Sequence, residues 1–170
     1  MDVKPYIWSV KDFPKPGIDF KDITPLLQEP AAFRWCIQQM VERFRTAEVE
    51  KVAAFDARGF LFGVVVAYEL GVPFVAIRKR GKLPRETISS YYEAEYGGET
   101  VEVHTDAIQR GERVLLIDDV IALGNCMTAG AQLIERLGGV VVGCCSLIEF
   151  ATMRPPERLQ EYEVVSLVQY

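Results

Sequence analysis

The stretch RVLLIDDVIALGNCMTAGAQLIERL, Arg113 to Leu137, decides the fold. Val114 to Ile117 is a short, uninterrupted apolar run, the pattern of a strand buried on both faces. Two carboxylates, Asp118 and Asp119, follow it. A short loop through Gly124 leads to Met127–Leu137, whose apolar positions have helical spacing and which Gly138-Gly139 closes. Free backbone N–H groups at such a helix start attract an anion, helped by the helix dipole. Gly124 permits a tight turn and close approach of a ligand to the backbone. Two adjacent acids at a strand end repel each other, so burial is costly without a partner. A sugar diol or a hydrated magnesium ion supplies one. An ordinary helix start explains the loop equally well, since Asn125, the only asparagine in the chain, is a good N-cap.

The same alternation extends outward in both directions. Pro30 to Arg45 reads as a helix, with Phe33, Ile37, Met40, Val41 and Phe44 on one face and Pro30 in its first turn. Lys51 to Phe55 is a buried strand. Asp56-Ala57-Arg58-Gly59 leads from it into an apolar helix, Phe60 to Leu70, which Gly71 stops. Pro73 to Ile77 is the next strand. A basic loop, RKRGKLPR, and a polar, aromatic stretch, ETISSYYEAEYGGE, come after it. Thr100 to His104 alternates like an edge strand, Val140 to Ile148 is another strand, and Tyr162 to Val168 is the last. Strands separated by helices imply right-handed crossovers and an α/β domain with a central, mostly parallel sheet flanked by helices. Ligands of such sheets sit beyond the carboxyl ends of the strands. Three exits therefore matter: DARG at 56–59, RKRGK at 78–82 and DDVIALGNC at 118–126.

Composition narrows the chemistry. A chain of 170 residues, 49% hydrophobic and 25% charged, suits one globular domain. Its net charge of −5 argues against nucleic acid or an anionic membrane as partner, so a bound anion needs a local basic cluster. Arg78, Lys79, Arg80, Lys82 and Arg85 form one, although such a run is more often a solvated face. Arg58 adds a fork suited to phosphate. No apolar run is long enough to span a bilayer, and the N-terminus lacks the basic start and apolar core of a signal peptide. The four cysteines, Cys36, Cys126, Cys144 and Cys145, form neither a disulfide framework nor a zinc pattern, and a reducing cytoplasm is expected. One histidine, His104, argues against a histidine-rich metal site.

These parts, in this order, resemble the adenine phosphoribosyltransferases of the type I phosphoribosyltransferase family. The motifs are FPKPGIDFKDITPLL (Phe13–Leu27), DARGFLFG (Asp56–Gly63), IRKRGKLP (Ile77–Pro84), YEAEYG (Tyr92–Gly97) and IDDVIALG (Ile117–Gly124). Together they are highly specific, and the resemblance covers essentially the whole chain. It implies a single domain over 1–170, with a small N-terminal hood over the base site (roughly 1–30) and a core (roughly 31–170). It implies purine salvage, in which adenine and phosphoribosyl diphosphate give AMP and diphosphate with Mg2+, in a cytoplasmic homodimer.

Residue by residue, the resemblance assigns Asp118 and Asp119 to the ribose hydroxyls, and Ala122, Leu123, Gly124, Asn125 and Cys126 to the 5′-phosphate. Arg58, Gly59, Arg78, Lys79, Lys82 and Tyr96 match the diphosphate side. Asp19, Phe20 and Lys21 match the adenine pocket. Glu95, with Asp118 and Asp119, belongs to the catalytic set, with either Glu95 or ordered water taking the purine proton. Glu95 and Tyr96 match the flexible loop that closes over the site, and residues 82–98 have the polarity and length for such a lid. No direct protein ligand to the metal is expected; magnesium is held through substrate and water near Asp118 and Asp119.

One segment departs from the family. Its phosphate loop usually reads Ala-Thr-Gly-Gly-Thr, against Ala122-Leu123-Gly124-Asn125-Cys126 in this chain. Each lost hydroxyl bond to a charged phosphate costs roughly 1.5–3 kcal/mol. Two losses weaken binding by about two to four powers of ten at ~1.4 kcal/mol per decade. A second reading therefore stays open: a catalytically weak or silent relative that binds AMP or phosphoribosyl diphosphate as a sensor or regulator. An active enzyme for another purine is a third, prompted by the acidic Asp19.

Overall fold

The computed structural model describes residues 1–94, 97–151, 153 and 156–170. The chain divides into two compact units, Met1–Gln39 and Met40–Tyr170. The first holds an antiparallel hairpin of β1 (Trp8–Lys11) and β2 (Asp19–Asp22), then α1 (Thr24–Gln28) and the start of α2 (Pro30–Arg43). The hairpin was not legible in the sequence, because four-residue strands with mostly exposed side chains carry little periodicity.

The second unit is built on a seven-stranded sheet. Its parallel part runs through β4 (Phe74–Lys79), β3 (Lys51–Phe55), β7 (Arg113–Ile121), β8 (Val140–Glu149) and β9 (Val164–Gln169). Two antiparallel strands, β6 (Gly97–His104) and β5 (Thr87–Ala94), extend it beyond β4. The expected mostly parallel α/β sheet is therefore present, with a mixed edge. Two expectations change. The strand carrying His104 is internal, and β5 is the edge. The stretch read as a polar lid contains an eight-residue strand: paired to β6 on one side, it can stay polar on its outer face and so hides its period.

Alternation along β3 explains how the layers form. Ala54 turns toward α3 (Gly59–Leu70), where an added Cβ on Gly63 would lie 2.5 Å from the Ala54 Cβ. Ala53 and Phe55 turn to the other face, into a core with Met127, Leu133 and Ile134 of α4 (Asn125–Arg136). Full burial of a large side chain such as Phe55, Met127, Leu133 or Ile134 contributes ~1.5–3 kcal/mol. Gly71, at φ 69°, ends α3 in the left-handed conformation that its lack of a Cβ permits. Among the described residues no helix is long and apolar enough to cross a membrane.

Candidate active site

Parallel register places the acidic pair. β3 pairs with β7 from Lys51↔Val114 to Ala54↔Ile117 and then stops. β7 continues to Ile121 against β8, with Asp118 opposite Ser146. The two aspartates therefore lie within a strand and not after it, where β7 outruns its neighbour at the carboxyl end of the sheet. Asp119 is buried and Asp118 partly so. The Asp119 N–H donates to Asp118 Oδ1 at 2.9 Å. Burial first, then the charge of Asp119, pushes the Asp118 carboxyl well above the usual range. Burial also raises Asp119, and the adjacent Arg58 charge opposes that rise.

The DARG segment supplies partners for both. Arg58, just before α3, sets its Nε 2.8 Å from Asp119 Oδ2 as an ion pair. The approach lacks hydrogen-bond alignment, so this buried oxygen accepts no hydrogen bond among the described residues. Gly59 is buried against Asp118: a Cβ there would meet Asp118 Oδ1 at 2.8 Å and the Ile117 carbonyl at 3.1 Å. Gly59 thus lets α3 begin directly on the acidic pair. Asp56, which the sequence reading left without a role, accepts from Arg78 Nε at 3.0 Å and joins the ends of β3 and β4. Its adjacency to Arg58 in DARG was the available signal. Arg78 Nη1 also donates to the Lys82 carbonyl at 3.0 Å, folding the basic loop back on its strand. Lys79 Nζ pairs with Glu99 at 3.1 Å, and Lys82 is exposed. Arg85 is an ion-pair partner of Asp106.

Ala122, Leu123 and Gly124 form the bend between β7 and α4, and Gly124 takes φ 79°. The helix begins at Asn125, so Gly124 is the capping position, not Asn125, and it has no side chain with which to cap the first turn. Free first-turn N–H groups at a helix start are the chemistry of an anion site. Thr128, also missed in the sequence, donates its hydroxyl and its N–H to the Gly124 carbonyl at 2.9 and 3.0 Å and fixes the bend. Cys126 lies beside Tyr92 of β5. Its thiol is held protonated by burial, with the Asp118 charge adding and the Lys79 charge opposing. The exits of β3, β4 and β7 thus share one electrostatic neighbourhood.

Asp19, Phe20 and Lys21 lie on β2 in the first unit. Lys21 is buried, and its Nζ donates to Ser9 Oγ at 2.6 Å and to Asp19 Oδ2 at 2.9 Å. That bond holds the Asp19 carboxyl below its ordinary range. The Phe20 ring stands edge-on to Phe13 at 5.2 Å. Glu95 and Tyr96 lie outside the described residues. Among the described residues no three His, Cys, Asp or Glu side chains cluster as a metal cage. The donor chemistry fits magnesium, which keeps its waters: Asp118 and Asp119 are carboxylates near which a hydrated ion would be held.

Known proteins match this arrangement. The family model for the phosphoribosyl transferase domain matches residues 22–169. The adenine phosphoribosyltransferase of Carboxydothermus hydrogenoformans is 48% identical over 170 residues, all of both chains. The crystal structure of adenine phosphoribosyltransferase from Thermoanaerobacter pseudethanolicus superposes with a TM-score of 0.95 at 43% identity, covering 99% of this chain and 98% of that one. The enzyme of Trypanosoma brucei, solved in complex with AMP, pyrophosphate and ribose-5-phosphate, superposes at 0.88 with 29% identity, covering 96% of this chain and 75% of that one.

Proposed function

The chain belongs to the phosphoribosyltransferase family, and within it to the adenine phosphoribosyltransferases, and from that membership we propose how its residues divide the reaction. The activity is phosphoribosyl transfer to adenine in purine salvage. The substrates are adenine and phosphoribosyl diphosphate; the products are AMP and diphosphate. One observation carries the assignment of roles: a carboxylate pair in β7 is followed, after one short bend, by an α4 N-terminus whose cap, Gly124, has no side chain.

Asp118 and Asp119 accept the ribose hydroxyls. The sugar diol satisfies the Asp119 oxygen and restores the solvation that burial removed from both groups. The 5′-phosphate sits in the bend 122–126 on the first N–H groups of α4. As the bond to diphosphate breaks, the anomeric carbon becomes cation-like and the adjacent carboxylates stabilise it. Arg58, Gly59, Arg78, Lys79, Lys82 and Tyr96 receive the departing diphosphate. Magnesium, when bound near Asp118 and Asp119 through water and substrate, neutralises charge on the leaving group. Glu95 takes the purine proton. Phe20 stacks on the base, while Asp19 and Lys21, locked together, present the backbone of β2 to its edge.

Residues 1–170 are one phosphoribosyltransferase domain in this reading, and two chains pair as a homodimer. The exposed apolar residues Leu61, Val64 and Tyr68 support the pairing, because they recur on one face of α3.

Steady-state AMP formation from adenine and phosphoribosyl diphosphate with magnesium tests the reading. Turnover with adenine that exceeds turnover with hypoxanthine and guanine supports it. Absence of turnover at millimolar phosphoribosyl diphosphate, with AMP still bound in calorimetry, would replace it with a nucleotide-binding role. The double change Leu123→Thr with Cys126→Thr restores the family's hydroxyls. It is expected to lower KM for phosphoribosyl diphosphate by about tenfold or more. An unchanged or higher KM would show that the native loop has adequate chemistry of its own.

A further inference from the structure

Asn125 and Cys126 open α4 directly after the bend 122–124, and both side chains reach the same place. Asn125 Nδ2 donates to the Glu93 carbonyl at 2.8 Å. The Cys126 thiol and the Tyr92 hydroxyl are electrostatic neighbours. Glu93 and Tyr92 are neighbours on β5, the edge strand of the β5–β6 hairpin. Further along, Gln132 accepts from Ser90 Oγ at 3.2 Å, and Arg136 Nη1 donates to the Ser89 carbonyl at 2.6 Å. Asn125, Gln132 and Arg136 are spaced by seven and four residues, so they lie on one face of α4. That face covers the free edge of β5, whose carbonyls at Ser89 and Glu93 point the same way along the strand.

We infer that Asn125 is a positioning residue that tethers the phosphate loop to the β5–β6 hairpin, with Cys126–Tyr92 as a second tether. Its amide is directed at the Glu93 carbonyl and not at the anion, so the 5′-phosphate is held by backbone N–H groups. The loop and the hairpin consequently order together. Occupation of the loop by a sugar phosphate fixes the first turn of α4, and the two tethers carry that order to the strand. An Ala-Thr-Gly-Gly-Thr loop, with glycine at this position, has no side chain to make the first tether. This inference rests on the proposed placement of the 5′-phosphate, but its central contact does not.

Two variants test it. Asn125→Ala removes the first tether, and Tyr92→Phe removes the second without altering the loop. Backbone amide exchange of Tyr91–Ala94 in the unliganded protein is expected to rise roughly tenfold in each, the factor carried by a hydrogen bond of ordinary net strength. Ribose 5-phosphate affinity of Asn125→Ala should stay within about twofold, while kcat for AMP falls and KM for adenine changes little. Unchanged exchange in both variants would overturn the tether. So would a tenfold loss of ribose 5-phosphate affinity with exchange unchanged, which would make Asn125 a phosphate ligand. Failure of the wild-type protein to form AMP would sink the proposed function and leave the exchange measurement to decide the tether.

Discussion

At the scale of single residues the site is a place where burial opposes charge. Asp118 has a raised folded-state pKa, from burial first and from Asp119 second. The sign of the consequence follows from linkage. A carboxyl whose folded pKa exceeds its unfolded value destabilises the fold fully above the folded pKa. The cost shrinks as pH falls toward the unfolded pKa and vanishes below it. Asp118→Asn removes the charge and keeps an oxygen to accept the Asp119 N–H. In the unliganded state it should therefore melt higher than wild type at pH 8, with the difference closing as the solution is acidified below pH 4. The same change should lower kcat by roughly two to three powers of ten, the scale of losing one preorganised electrostatic group. A variant that melts lower than wild type at pH 8 would show that ion pairing with the acidic pair outweighs its desolvation. Gly59 belongs to this scale as well, since the absence of a Cβ is what lets α3 start against Asp118.

At the scale of elements, close approach decides more than propensity does. Gly130 lies within α4, where alanine would ordinarily gain about 1 kcal/mol over glycine. A Cβ at Gly130 would lie 2.3 Å from Phe55 Cζ and 3.3 Å from Ile77 Cδ1. Overpacking of that kind costs roughly 1–3 kcal/mol. Gly130→Val adds two further methyls and should lower the melting temperature by several degrees in calorimetry. No change would mean that Phe55 can rotate aside.

The parallel strands and α3 and α4 were legible in the sequence because apolar residues dominate each of them and their bounds are marked by turn residues. β5 was not. TISSYYEA mixes inward Ile88, Ser90 and Tyr92 with exposed Tyr91, and its partner on the outer edge is a helix brought there by the fold. The capping position moved by one residue for a related reason. Asn125 has a tertiary partner in Glu93, and Gly124 can adopt the left-handed geometry that the turn requires.

At the scale of the whole molecule, the informative surface is α3. Leu61, Val64 and Tyr68 are 42%, 48% and 81% exposed. Three such side chains on one helix face are costly to leave in water and fit the proposed dimer. Leu61→Glu with Val64→Glu should convert a dimer to a monomer in light scattering at micromolar concentration. A wild-type monomer under the same conditions would remove the dimer from the proposal.

Sequence alone determined the α/β class, the strand-to-helix turn from Arg113 to Leu137 and the identity of the groups at three strand exits, because apolar periodicity and motif order are local properties of the chain. Tertiary structure decided what those groups do to one another. It set Arg58 on Asp119, Asp56 on Arg78, Gly59 against Asp118 and Asn125 on Glu93. Such pairings join residues 22 to 61 positions apart in three of the four cases and 32 in the last. Only sheet register and helix packing bring them within reach. The segment with two carboxylates and an open helix start was readable as chemistry, but its link to the hairpin exists only because α4 is laid along the free edge of β5.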